Sequence, residues 1–277
     1  MSHLLSYAIN HMVAPRKSFA ELVALANALD LDAVEIRNDL PGTAILDGTE
    51  AAKLREQAQA GGVRILSINA LQRFNDWNAE REVEARALAR YAQDCGAAML
   101  VLCPVNDVSW RLAERERLRG LRDALRKLAP ILGDAGVVGL VEPLGFQESS
   151  LRLQSEAVEA IEDQGGGDRF RIVHDTFHHF LSGEPHLLTD WIGLVHLSGV
   201  DDTQLPLDVL RDPHRGLIDA GDRLGNVAQI IALLAGGYDG PFSFEPFAAS
   251  VHASPDIAGA LERSMHWLDA ELAKAQV

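Results

Sequence analysis

The feature that most constrains this chain is a regular beat, in which eight short apolar runs alternate with longer stretches. The runs are LLSYAIN (4–10), AVEIR (33–37), RILSINA (64–70), AMLVLCP (98–104), VGLVEP (138–143), FRIVHD (170–175), GLVHLSG (193–199) and PFSFEPF (241–247). Most are rich in β-branched or aromatic residues and are too short for ordinary helices, which predicts strands. The stretches between them place apolar residues three and four apart. SFAELVALANALD opens on Ser18 as an N-cap, with Glu21 at the capping-box position. Residues 78–94 and 113–134 keep the spacing, the second with Pro130 late in it and Gly133 and Gly136 near its end. SEAVEAIEDQGG, NVAQIIALLAGG and SPDIAGALERSMHWLDAELAKA complete the set, and a short helix is expected at about 179–191.

Eight strands, each followed by a helix, predict an α/β fold of the (β/α)8 TIM-barrel type, which forms one unit of roughly 250 residues. The competing open, doubly wound sheet often carries a glycine-rich first turn, and AINHMVAP after strand one has no glycine. No composition shift or linker divides the chain, so residues 1–277 read as a single domain. The longest loop, from about 200 to 224, follows strand seven. Loops of that length in a compact domain are more often functional than decorative.

Composition narrows the partners. The net charge is −15, which disfavours a nucleic-acid partner, because a phosphate backbone is bound by clustered Lys and Arg. The Arg-rich segment RLAERERLRGLRDALRK mixes in Glu and Asp and reads as a solvated helix face. No apolar run approaches the ~18 residues of a membrane span, and MSHLLSYAIN lacks the pattern of a signal peptide. Cys95 and Cys103 form no CxxC pair, which suits a reducing cytosol. The sequence is compatible with a homo-oligomer and does not specify one.

The later strands close on residues that can ligate a metal. Strand five ends with Glu142, strand six with Asp175 and strand eight with Glu245, while strand seven carries His196. In a barrel, the C-terminal ends of the strands form the active-site face. Side-chain alternation puts Val138, Leu140 and Glu142 on one face, Arg171, Val173 and Asp175 on another, and Ser243 with Glu245 on a third. Arg171 would then sit low in the barrel and need a partner there. Taken singly, each ligand candidate is more simply a solvated or paired carboxylate, an N-cap at Asp175 or a packed histidine at His196. Four on successive strand ends is a stronger pattern. Three converging carboxylates repel unless a cation joins them, and mixed O/N ligation without thiolate suits one divalent Mn, Mg, Co or Zn ion.

Four segments, GLVEP, VHDTFHHF, LVHLSGVDD and FSFEPF, resemble in order the metal-bearing segments of the xylose isomerase-like TIM barrels. That family includes sugar isomerases, sugar epimerases and apurinic endonucleases. VEIR (34–37) and INALQRFND (68–76) resemble segments of its 2-keto-myo-inositol isomerases. The resemblance covers nearly the whole chain. It implies that Glu142, Asp175, His196 and Glu245 bind one divalent metal, that His178 binds a substrate oxygen and that Arg215 in the long loop reaches substrate. It also places Glu148 where several ketose epimerases carry a substrate-binding glutamate, a position at which the inositol isomerases have no acid.

The expected function is isomerisation or epimerisation of a small keto-polyol or ketose, with an inosose favoured. The expected route is proton transfer through a metal-stabilised enediolate, with Glu142 and Glu245 as the acid–base pair. An inosose dehydratase would use the same ligands and expel water. An endonuclease would want a further His and Glu set and a cationic groove, of which only Glu35 is in evidence, and a non-catalytic sugar-binding protein would not need the four ligands. Asn10 and Asn69 could bind substrate hydroxyls or close strand turns. Phe74 and Trp77 could wall the pocket or pack the loop. Trp110, Trp191 and His174 read as structural, His179 is open, and Cys103, near the end of strand four, could face the pocket, with a small buried hydrophobe the simpler reading.

Overall fold

The eight apolar runs form eight parallel strands: β1 (Tyr7–Asn10), β2 (Ala33–Arg37), β3 (Arg64–Leu71), β4 (Met99–Leu102), β5 (Val138–Val141), β6 (Phe170–Asp175), β7 (Ile192–Leu197) and β8 (Phe242–Phe244). The computed structural model describes residues 3–275. Its strands close in sequence order, and β8 pairs with β1 through Tyr7↔Phe242 and Ala8↔Ser243. Closure is what an open doubly wound sheet would lack.

Around the barrel run α1 (Phe19–Ala28), α2 (Ala51–Ala60), α3 (Ala79–Cys95), α4 (Glu114–Ala135), α5 (Gln154–Glu162), α6 (Thr176–Ser182), α7 (Asn226–Ala235), α8 (Ala249–His252) and α9 (Ile257–Lys274). Ser18 and Glu21 make the reciprocal capping box expected of them. Helix α2 was passed over by apolar spacing, since only Ala51, Leu54 and Ala58 of its residues are buried. The helix expected at about 179–191 forms further upstream, as α6. Asp175 caps it, accepting from the backbone N–H groups of Phe177 and His178, and Gly183 ends it at φ 71°. No helix among the described residues is long and apolar enough to cross a membrane.

Alternation along the strands sorts the core into two layers. Ala8, Ala33, Leu66, Val101, Leu140, Val173 and Leu194 pack inside the barrel. Their strand neighbours Ile9, Val34, Leu100, Val141, Ile172 and Val195 pack outward under the helices. Register shifts in β3 adjust this rule, so that Leu66 joins the interior while Ser67, next to it, also reaches an interior carboxylate. Arg171, expected low in the barrel, finds its partners there. It donates to the carbonyls of Gly167 and Phe170, and its guanidinium lies 5.9 Å from the Trp191 ring. His174 has the opposite parity and is structural. Its ring is fully buried and bridges Gln154 and Gln229, each at 2.9 Å. Burial, then His179, lowers its pKa to about 3, so it is a neutral hydrogen-bonding strut.

The loop after β7 is tied at several points. Gly199 and Gly216 exchange backbone hydrogen bonds of 2.9 and 2.7 Å. Asp222 accepts from the backbone of Val200, Leu224 and Asn226. Val200, Leu210 and Leu224 pack with Phe146 and Phe177 as a separate apolar cluster. These contacts fix the loop over the ends of β5, β6 and β7. A Cβ at Gly199 would lie 2.6 Å from the Leu217 carbonyl oxygen, a backbone atom that cannot move cheaply. Gly199→Ala is therefore expected to cost about 2 kcal/mol through overpacking, seen as a lower denaturant midpoint at unchanged slope.

Candidate functional site

The C-terminal mouth of the barrel gathers one residue from each of the last four strands or their ends. Glu142, Asp175, His196 and Glu245 are all buried, and each offers an atom within 4.8 Å of the others. Nδ1 of His196 is the centre of the group. It lies 2.9 Å from Glu142 Oε1, 3.3 Å from Glu245 Oε2 and 3.9 Å from Asp175 Oδ2. Glu142 and Glu245 each sit one residue past their strand, where backbone bonds to Leu102 and Leu197 hold them. Asp175 divides its oxygens, with Oδ1 capping α6 and Oδ2 facing the cluster. The N-cap and the ligand reading of this residue are thus compatible. The donor set is three carboxylates and one imidazole nitrogen, converging and without thiolate, which fits a divalent ion such as Zn, Mn, Co or Mg.

Two buried guanidiniums brace the carboxylates. Arg215 Nη2 donates to Asp175 Oδ2 at 2.5 Å and to Glu245 Oε2 at 2.9 Å, while its Nε donates to Ser198 Oγ at 3.0 Å. Arg37 Nη1 reaches the other oxygen of Glu245 at 2.6 Å, and Asp39 holds the rest of the same guanidinium. The Phe247 ring lies against both, 4.6 Å from Arg215 and 5.4 Å from Arg37. Arg37 and Phe247 were not singled out from sequence; alternation in AVEIR gives a signal for Arg37, and none marks Phe247. Ala33 faces the barrel interior, so Glu35 and Arg37 share its face.

The electrostatics separate the two glutamates. Burial alone would raise Glu142, but His196, His178 and Arg215 outweigh it and lower its pKa to about 2. Burial dominates at Glu245 and raises it to about 7, against the pull of His196, Arg215 and Arg37. Asp175 is lowered, because Arg215 and His178 overcome its burial. Burial would likewise lower His196, but Glu245, Glu35 and Glu142 raise it well above the ordinary histidine value. Cys103 does face the cluster, with its Sγ 3.3 Å from Glu142 Oε2. Burial and Glu142 push its pKa well up, so it is a thiol donor rather than only a small hydrophobe.

The remaining candidates spread around this centre. His178, in the first turn of α6, is buried edge-on to Phe146 at 4.9 Å, and its Nδ1 has no partner among the described residues. The ring of His179 lies 4.7 Å from that of His174, which puts it with the structural histidine. Asn10 directs its amide N–H at Glu245 and Glu35, at 3.3 and 3.4 Å, and Asn69 directs its own at Glu35 at 2.9 Å. Both therefore enter the site through carboxylates. Glu148 stands outside the four-residue cluster. It pairs with Arg211 at 3.4 Å and borders a cleft of about 490 Å³ with Trp110 and Arg117. Phe74 is fully buried in the outer core and Trp77 packs against that core, so both are loop packing.

The profile of the xylose isomerase-like TIM barrel matches residues 23–271. A xylose isomerase domain-containing protein from Salmonella typhimurium LT2 is 32% identical, covers 99% of each chain and superposes with a TM-score of 0.88. The IolI protein, solved with a zinc atom, is 20% identical over 98% of this chain and 99% of its own, with a TM-score of 0.84. An L-ribulose 3-epimerase is 19% identical over 99% and 96%, with a TM-score of 0.73. No curated protein matches the chain at a significant level. Barrel, strand-end cluster and family profile agree, and the chain belongs to the xylose isomerase-like TIM barrel family.

Proposed function

We propose that this protein is a metal-dependent isomerase or epimerase of a small keto-polyol or ketose, with an inosose-type substrate favoured. The observation that carries the reading is the buried convergence of Glu142, Asp175, His196 and Glu245 within 4.8 Å at the barrel mouth. The inosose preference rests on the likeness of VEIR and INALQRFND to inositol isomerase segments. The solved IolI and epimerase structures share the fold. Two buried free thiols, Cys95 and Cys103, fit a cytosolic enzyme.

Moving a proton between adjacent carbons needs a group that takes it and one that returns it, and two carboxylates whose proton affinities differ can divide these roles. Glu142, held low at about 2, enters as an ionised base. Glu245 is the second carboxylate of the pair: burial makes it the more basic of the two before an ion joins them, and in this reading it returns the proton. A divalent ion held by Glu142, Asp175, His196 and Glu245 would polarise the substrate's carbonyl and lower the cost of the developing negative charge. Arg215 and Arg37 keep the Glu245 carboxylate in place. His178, neutral because burial lowers its pKa, and Arg215 contact substrate oxygens in this reading. Glu148 serves as the outer contact at the loop rim.

Turnover of ketoses and inososes in deuterated water, followed by NMR, tests the reading. Product of unchanged composition that carries solvent deuterium at the receiving carbon is expected. Loss of water would identify a dehydratase, and isomerisation without any deuterium would point to a hydride shift. Glu245→Gln is expected to keep the fold and lose at least about a thousandfold in kcat, within the range for a removed acid–base group. Activity within a few-fold of wild type would remove Glu245 from the chemistry.

Metal affinity should depend on pH. A proton and a cation compete for Nδ1 of His196, and the surrounding carboxylates raise its proton affinity. Below the raised pKa, each proton displaced weakens apparent binding about tenfold per pH unit lowered. Affinity should therefore rise with pH. Titration calorimetry near neutral pH, in buffers of different ionisation enthalpy, should show between one and two protons released per ion bound, one from His196 and a fraction from Glu245.

A further inference from the structure

His196 has two ring nitrogens, and only one of them faces the cluster. Nδ1 lies among the carboxylates of Glu142, Asp175 and Glu245, while Nε2 points across the barrel to Glu35 Oε2 at 3.2 Å. Glu35 is fully buried, and a buried carboxylate is tolerated only when it is compensated. Its near neighbour Arg37 does not compensate it, because that guanidinium is spent on Glu245 and Asp39. Neutral donors surround it instead. Ser67 Oγ donates at 2.6 Å, Asn69 Nδ2 at 2.9 Å and Asn10 Nδ2 at 3.4 Å. A neutral imidazole carries one N–H, and an acceptor fixed at one nitrogen leaves the other's lone pair free.

We propose that Glu35 is the positioning residue of the metal centre. It accepts from Nε2–H of His196 and thereby holds the Nδ1 lone pair turned toward Glu142, Asp175 and Glu245. Three strands converge on this one carboxylate: β1 through Asn10, β3 through Ser67 and Asn69, and β7 through His196. The orientation of the ring is thus set by the far wall of the barrel and not by β7 alone. The inference rests on the metal-dependent reading of the site.

The test uses protein labelled with 15N-histidine and titrated with cadmium-113. In wild type, coupling to the metal should appear on Nδ1 of His196 and the proton on Nε2. Glu35→Gln keeps the shape and one acceptor oxygen but removes the charge. It should weaken Cd²⁺ binding by about 10–100-fold, the usual effect of losing an outer partner of a metal-bound histidine, and shift the Nε2–H resonance. Leu268→Ala, in the buried face of α9, should destabilise the fold and leave Cd²⁺ affinity unchanged. If Glu35→Gln does not fold, Glu35→Asp keeps the carboxylate but draws it back by one methylene. It should show the same weakening and the same shift. Unaltered affinity and an unaltered Nε2–H signal in the variant would overturn the assignment to Glu35. Failure of wild type to bind Cd²⁺ would instead overturn the metal reading itself, and the inference with it.

Discussion

Mutual repulsion of carboxylates is the constraint around which the barrel mouth is built. Glu35, Glu142, Asp175 and Glu245 are buried within reach of one imidazole. Four like charges taken out of water would not stay together without compensation. Arg37 and Arg215 supply two positive charges from the same buried layer. Two negative charges are left over if His196 is neutral, which one divalent cation would balance. Arg215 takes Asp175 Oδ2 and Glu245 Oε2, the same oxygens that face Nδ1 of His196, while Arg37 takes the other oxygen of Glu245, so the compensation reaches into the crowded centre itself.

The fold was legible because its signals are local. A strand run declares itself within a few residues, and a capping box such as that of Ser18 and Glu21 within four. Parity then carried the reading inward. Leu140, Val173 and Leu194 do lie inside the barrel, directly below Glu142, Asp175 and His196 in their strands. Helix α2 escaped because its buried face is mostly alanine, which gives little periodic contrast. The upstream start of α6 was already offered by the N-cap reading of Asp175, but that reading was set beside the metal-ligand one and not carried into the bounds of the helix.

What the sequence did not yield is non-local. Nothing near AVEIR in the chain indicates that Glu35 meets a ring 161 residues away, or that Arg37 meets a carboxylate 208 residues away. Such pairs come together only when the cylinder closes. Cys103 is similar, since its thiol gains a polar role only because β5 brings Glu142 beside it. Asn10 and Asn69 point the same way. Both lie at the mouth, but their amides serve Glu35 and, for Asn10, also Glu245, pairings across the barrel that local reading could not make.

Asp175 shows how closely chemistry and scaffold are joined here. One of its oxygens starts the helix that carries His178, and the other faces the cluster. Any movement of that carboxylate toward or away from an ion would also tug the first turn of α6. A replacement lacking both oxygens would strip away an anchor as well as a donor, and its phenotype could not be assigned to either alone. The chain has made one short side chain the hinge pin between the floor of the site and the histidine on its wall.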